Sequence, residues 1–164
     1  MSVQYRLDDL LNYSDYERGK WRQWIAKDPR VLEIPFQSGG RFPTIGALLD
    51  HIILVERRHL ARLQGSTPPE ATGVPPGDWT ALFEFADLVR SDFRRYLADL
   101  DETRAAESMT ITIPIGAFTF SRRKLAIHMV LHEIRHFAQM AFAARIAGTA
   151  PPGEHDILFY SGID

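Results

Sequence analysis

The chain has 164 residues, 45% of them hydrophobic and 24% charged, with a formal net charge of -2. That balance predicts one globular domain spanning residues 1–164, and the lack of a basic excess argues against nucleic acid as a partner. There is no cysteine, which excludes disulfides, a protein thiolate nucleophile and Cys-type zinc sites, and leaves any metal to His, Asp or Glu.

Leu7, Leu10, Leu11, Trp21, Trp24 and Ile25 recur at spacings of three and four or their sums, and Asp28-Pro29 closes the run. A first helix from Tyr5 to Lys27 is predicted. Gly39-Gly40 and Pro43 then break the chain. From Thr44, the residues Ile45, Leu48, Leu49, Ile52, Leu60 and Leu63 define a second helix that Gly65 stops and that carries His51. Ser66 to Gly77, with its two proline pairs, reads as a loop. Asp78 is placed to cap a third helix whose stripe runs through Leu82, Phe85, Ala86, Val89, Phe93, Tyr96, Leu97 and Leu100, fraying over Asp101 to Arg104.

The period then changes. Met109 to Ile113 and Ala117 to Phe120 alternate around Pro114-Ile115-Gly116, which predicts a small β-hairpin. Ser121 caps a fourth helix from Arg122 to about Ala147, ended by Gly148. Four long amphipathic helices and a hairpin too small to form a layer predict an all-α four-helix bundle. The opening residues lack a charged-then-apolar signal pattern, and no apolar run approaches the roughly 18 residues of a membrane span. A cytoplasmic protein without a membrane partner is expected.

The fourth helix carries the chemistry. In His128-Met-Val-Leu-His132-Glu-Ile-Arg-His136 three imidazoles lie one turn apart on one face. Residues at i and i+4 are about 5–6 Å apart at Cβ, so His132 and His136 can converge on one ion at about 2.0–2.1 Å per nitrogen. All three cannot, because the row rises about 12 Å from first to last, and His128 is expected beside the site. The third ligand is expected from the second helix, where His51 sits just beyond the edge of the apolar stripe. His59, about two turns on, reads as structural. Three neutral nitrogens leave coordination positions open, as Lewis-acid chemistry requires, and imidazole suits Zn, Ni, Fe or Cu alike.

Two carboxylates stand close enough in sequence to be weighed as acid-base groups. Glu56 projects into the apolar stripe of the second helix, where either an arginine or a metal-bound histidine would have to satisfy it. Glu133 completes His-Glu-x-x-His, the pattern in which a peptidase uses two histidines for zinc and the glutamate as base. The peptidase context is missing: Gln139 and Phe142 stand where the extended pattern needs glycine and histidine. Glu133 falls between two apolar faces of its helix and reads as a surface residue, while His155, in a Pro-rich tail, reads as solvated. Because both faces of the helix are mostly apolar, a homodimer is expected to cover one of them.

Leu10-Leu-Asn-Tyr-Ser-Asp-Tyr, Leu48-Leu-Asp-His51 with Glu56, His132-x-x-x-His136-x-x-Gln139 and Asp156-Ile-Leu-Phe-Tyr160 occur in that order. With these pieces the chain resembles the DinB/YfiT-like family of four-helix-bundle metalloproteins over nearly its whole length. The resemblance implies an up-down-down-up bundle, frequent homodimers, and ligation of a divalent metal by His51, His132 and His136. It also implies a small-molecule substrate and, in members of known activity, a low-molecular-weight thiol cosubstrate in a transferase reaction. Phe137-Ala138 stands where many members have Arg-Gly, so a substrate contact by that arginine is not expected here. A non-catalytic metal or small-molecule binding dimer is the alternative, and the metallopeptidase a further one.

Overall fold

In a computed structural model, which describes residues 6–36, 41–113 and 115–163, the first stripe becomes helix α1, Leu7–Lys27. Tyr5 and the expected break at Gly39-Gly40 lie outside the described residues. Asp8 and Asp9 in the first turn and Lys27 in the last complement the helix dipole. Asp28 then accepts from the Arg30 amide at 3.1 Å and opens a 3-10 turn over Pro29–Glu33. Helix α2, Ile45–Leu63, starts where the Thr44 hydroxyl accepts from the Ala47 amide at 3.2 Å. It ends at Gly65, whose φ of 74° is the left-handed turn that glycine adopts without a Cβ clash.

Asp78 caps α3, Trp79–Ala98, by accepting from the Ala81 amide at 3.0 Å. Fraying was expected next, yet Asp101 accepts from the Arg104 amide at 2.8 Å and starts a short helix α4, Glu102–Ala106. An N-cap outweighed the charge of the segment. Strands β1, Ser108–Ile113, and β2, Gly116–Ser121, pair antiparallel from Ser108 opposite Ser121 to Ile113 opposite Gly116. Helix α5, Arg122–Ile146, follows directly, with the Ser121 hydroxyl accepting from the Lys124 amide at 3.2 Å. The chain is thus the expected all-α, four-helix-bundle class: four long helices, with a hairpin ahead of the last. No described helix is long and apolar enough to cross a membrane.

Contacts divide the chain into two compact units, Met1–Ile52 with Val130–Asp164, and Ile53–Met129. In the first unit Leu11, Trp21, Ile25, Ile45, Leu48, Leu49, Ile52, Val130, Phe137 and Met140 are buried. Each large apolar side chain so buried stabilises by about 1.5–3 kcal/mol. Trp21 stacks on Phe137 with ring centroids 5.9 Å apart. His155 also stacks on Trp21, 5.3 Å away and nearly parallel. His155 is therefore not solvated: its Nδ1 is 2.5 Å from Glu17 Oε2, and its carbonyl accepts from the Tyr13 hydroxyl at 2.8 Å. The buried Glu17 carboxylate needed partners, and the tail supplies one while Lys20, at 2.7 Å, supplies another.

The second unit buries Leu60, Leu63, Phe83, Ala86, Phe93, Ile111, Leu125 and Ala126. Within it Glu56 pairs with Arg90, both buried, at 3.1 Å, so the carboxylate that intrudes on the apolar stripe is neutralised by an arginine. His59 packs against the exposed His128, ring centroids 5.3 Å apart, and its Nδ1 lies 3.1 Å from the Arg62 guanidinium. Burial first, then the neighbouring positive charges, push the His59 pKa from its ordinary 6.5 to about 3. The folded state resists a proton that the unfolded chain accepts, so this stabilisation is complete above pH 6.5 and declines as pH falls toward 3. In metal-free protein, denaturant titrations at pH 6.5 and 5 are expected to show His59→Gln losing about 2 kcal/mol less stability over that interval than wild type.

Burial along α5 corrects the expected pair of faces. Ala126, Val130, Glu133, Phe137, Ala141 and Ala144 are buried together with Leu125, Met129, His132, His136, Met140 and Ala143. These positions form one arc, roughly half the helix circumference. Leu131, Phe142 and Ile146 stand outside it, 50%, 63% and 52% exposed.

Candidate metal centre

One ligand atom from each of His51, His132 and His136 lies within 4.8 Å of the others. All three residues belong to the first unit. The i, i+4 spacing stacks His132 and His136 along α5, and their Nε2 atoms face each other at 3.1 Å. Two nitrogens bound to one ion at about 2.0–2.1 Å, with an angle near 90–110°, would be about 2.9–3.4 Å apart. The observed separation falls in that interval without rearrangement. His51 closes the triangle from α2, with ring centroids 5.2 Å from His132 and 5.3 Å from His136. His132 and His136 are buried at 8% and 7% exposure, and His51 is half-buried.

The surroundings favour the protonation state a ligand needs. His136 Nδ1 lies 2.5 Å from Gln139 Oε1. The amide oxygen only accepts, so Nδ1 carries the proton and the Nε2 lone pair is left facing His132. Burial is the largest effect on His136 and pushes its pKa down; the Gln139 bond opposes this and Arg135 adds to it. Metal binding requires neutral imidazole, and burial supplies that bias. Phe42 walls the site, its ring 4.4 Å from His51 and 6.2 Å from His136. Neither role was read from the sequence. The i, i+3 spacing of His136 and Gln139 was the available signal for the first; nothing in the chain order marked Phe42.

Gln139→Ala is expected to weaken metal affinity about 10–100-fold, the usual effect of removing a ligand's orienting partner. Competition against a chromophoric chelator measures it.

The other weighed residues go elsewhere. Glu133 is 3% exposed, not a surface residue. Its Oε1 accepts from Arg18 Nε at 2.7 Å and from Arg18 Nη2 at 2.6 Å, and its Oε2 from the Ser14 hydroxyl. It sits in the middle of the buried arc of α5, where a carboxylate without such donors would be costly. Glu56 is held by Arg90, His128 packs on His59 and His155 on Glu17. Among the described residues no other His, Asp or Glu joins the three-histidine cluster.

A cleft of about 780 Å³ borders the cluster at His136. Phe36, Phe42, Phe142 and Ile146 form its apolar walls, and among the described residues Arg41, Arg135 and Gln139 are its other polar ones.

Three imidazoles that converge in this way form a cluster compatible with binding a metal ion. The sequence model of the DinB superfamily matches residues 6–140. The chain belongs to the DinB superfamily. No curated protein matches it.

Proposed function

We propose that His51, His132 and His136 bind one divalent metal ion and that the chain is a metal-dependent transferase acting on a small molecule, with a thiol as cosubstrate. The observation that carries this reading is the 3.1 Å approach of His132 Nε2 to His136 Nε2, with Gln139 fixing the His136 proton on the far nitrogen. When bound, the ion would supply Lewis acidity that lowers the pKa of a thiol. The chain's own part is to orient the three nitrogens, to wall the site with Phe42, and to seat the substrate in the bordering cleft. Neither carboxylate contributes a base, since Glu133 and Glu56 are bound to Arg18 and Arg90. That favours chemistry in which the nucleophile is activated without protein acid-base help, and disfavours the peptidase reading, which needs Glu133 free.

The same commitment of both carboxylates supports a second reading, a non-catalytic metal-binding protein. Thiol-transfer assays on protein loaded with Zn, Ni or Fe, using a bimane-type acceptor and several low-molecular-weight thiols, separate the two. Transfer that needs the ion supports the enzyme, and silence with every thiol and metal supports the binder. A homodimer is proposed with either, supported by the exposed Leu131 on α5, outside the cleft. A light-scattering mass of one chain would refute it.

A further inference from the structure

We propose that the cleft beside the three histidines selects ligands that join an anionic group to an aromatic or branched apolar body, with Arg41 and Arg135 as the residues that recognise the anion. This deepens the proposed function by naming the ligand class of the same site.

The cleft, about 780 Å³, has the capacity of a small-molecule site, typically about 300–1,000 Å³. Its polar lining is one-sided. Arg41 and Arg135 present only donors, and no Asp or Glu is among the described residues that line the space. Gln139 is the remaining side-chain amide, and its oxygen is already 2.5 Å from His136 Nδ1, so what it has left to offer is N–H. A wall that donates without accepting is complementary to an acceptor-rich group, and charge-assisted donors of the arginine type favour carboxylate or phosphate.

Several arginines elsewhere are arranged differently. The buried Arg18 and Arg90 are held by Glu133 and Glu56, and Arg30, Arg95, Arg122 and Arg123 each meet a carboxylate. Among the described residues neither Arg41 nor Arg135 has one; Arg41 lies over the Phe42 ring, 5.8 Å from its centroid. The positive cleft is not a reflection of overall charge either, since the chain is formally -2. Apolar walls from Phe36, Phe42, Phe142 and Ile146 leave the body of the ligand no polar partner, which sets its apolar character. His136 lines the cleft and belongs to the cluster, so an anchored anion would hold the ligand's reacting end at the histidines.

The test is calorimetric binding of 3-phenylpropionate, its uncharged amide and phenyl phosphate to metal-free and metal-loaded protein, in wild type and in Arg41→Gln, Arg135→Gln and the double variant. Both arginines are exposed, so the variants are expected to fold and to keep wild-type metal content. Metal-free wild type is expected to bind the carboxylate or the phosphate at least about tenfold more tightly than the amide. Each single variant should lose most of that preference and the double variant all of it. The stronger of the two anions identifies the headgroup. Equal binding of carboxylate and amide would overturn the proposal, as would an anion preference that survives in the double variant or that exists only with metal present. Because the decisive arm uses metal-free protein, a chain that never binds metal but shows an arginine-dependent preference would refute the metalloenzyme reading and leave this one standing.

Discussion

His132→Ala and His136→Ala are each expected to abolish metal binding and, with it, the stabilisation that metal gives the wild-type chain. An ion at a hundredfold its dissociation constant stabilises the folded state by about 2.7 kcal/mol. For a domain of this size that is a rise in Tm of roughly 5–10 °C. Both variants should melt at the same temperature with and without added zinc or nickel, and elemental analysis should fall from one ion per chain to none. The mechanism is geometric: the two Nε2 atoms 3.1 Å apart are the preformed part of the site, and His51 with one survivor cannot enclose an ion. His128→Ala serves as the control. It packs on His59 and is outside the cluster, so metal content and the metal-induced shift should be unchanged. Retention of stoichiometric, stabilising metal by His132→Ala would remove the basis of the proposed function.

Arg18→Met is expected to have the largest effect on stability, about 3–5 kcal/mol, because it strands the buried Glu133 carboxylate. Arg18 and Glu133 are 6% and 3% exposed, and the arginine supplies two of the bonds that the carboxylate accepts. Glu133→Gln should also destabilise, since it leaves the buried Arg18 guanidinium without its counter-charge, although the amide oxygen still accepts from it. Replacing both residues by Met and Leu should cost less than Arg18→Met alone, as a buried pair can be exchanged for apolar packing more cheaply than it can be broken. Urea titrations read all three. Glu133→Gln also bears on function: with Glu133 bound to α1 rather than serving as a base, the variant should keep its metal and any thiol-transfer activity. Loss of that activity with metal and fold intact would restore Glu133 as a catalytic base.

The elements that local chemistry specifies were legible in the sequence. Asp78 and Ser121 cap the helices they were expected to cap, Gly65 ends α2, and the alternation from Met109 to Phe120 is a hairpin. These depend on contacts a few residues apart. The short α4 was missed because a run of charges suggested fraying, while the single Asp101 cap sufficed to start a turn of helix.

For the site, spacing alone put His132 and His136 on one face, and position relative to the apolar stripe ranked His51 above His59. Spacing could not show that Glu133, next to a ligand candidate, turns into the core, because the partner that makes its burial tolerable, Arg18, is more than a hundred residues away. Nor could it show that Glu17 and Trp21 both hold His155, or that Arg41 and Arg135 line one cleft. The sequence by itself determined which residues could share a helix face, because the period of the helix is fixed by the backbone. Only the tertiary structure decided which charges are neutralised and which are left open to a ligand, because that depends on which distant side chain arrives to satisfy each buried group.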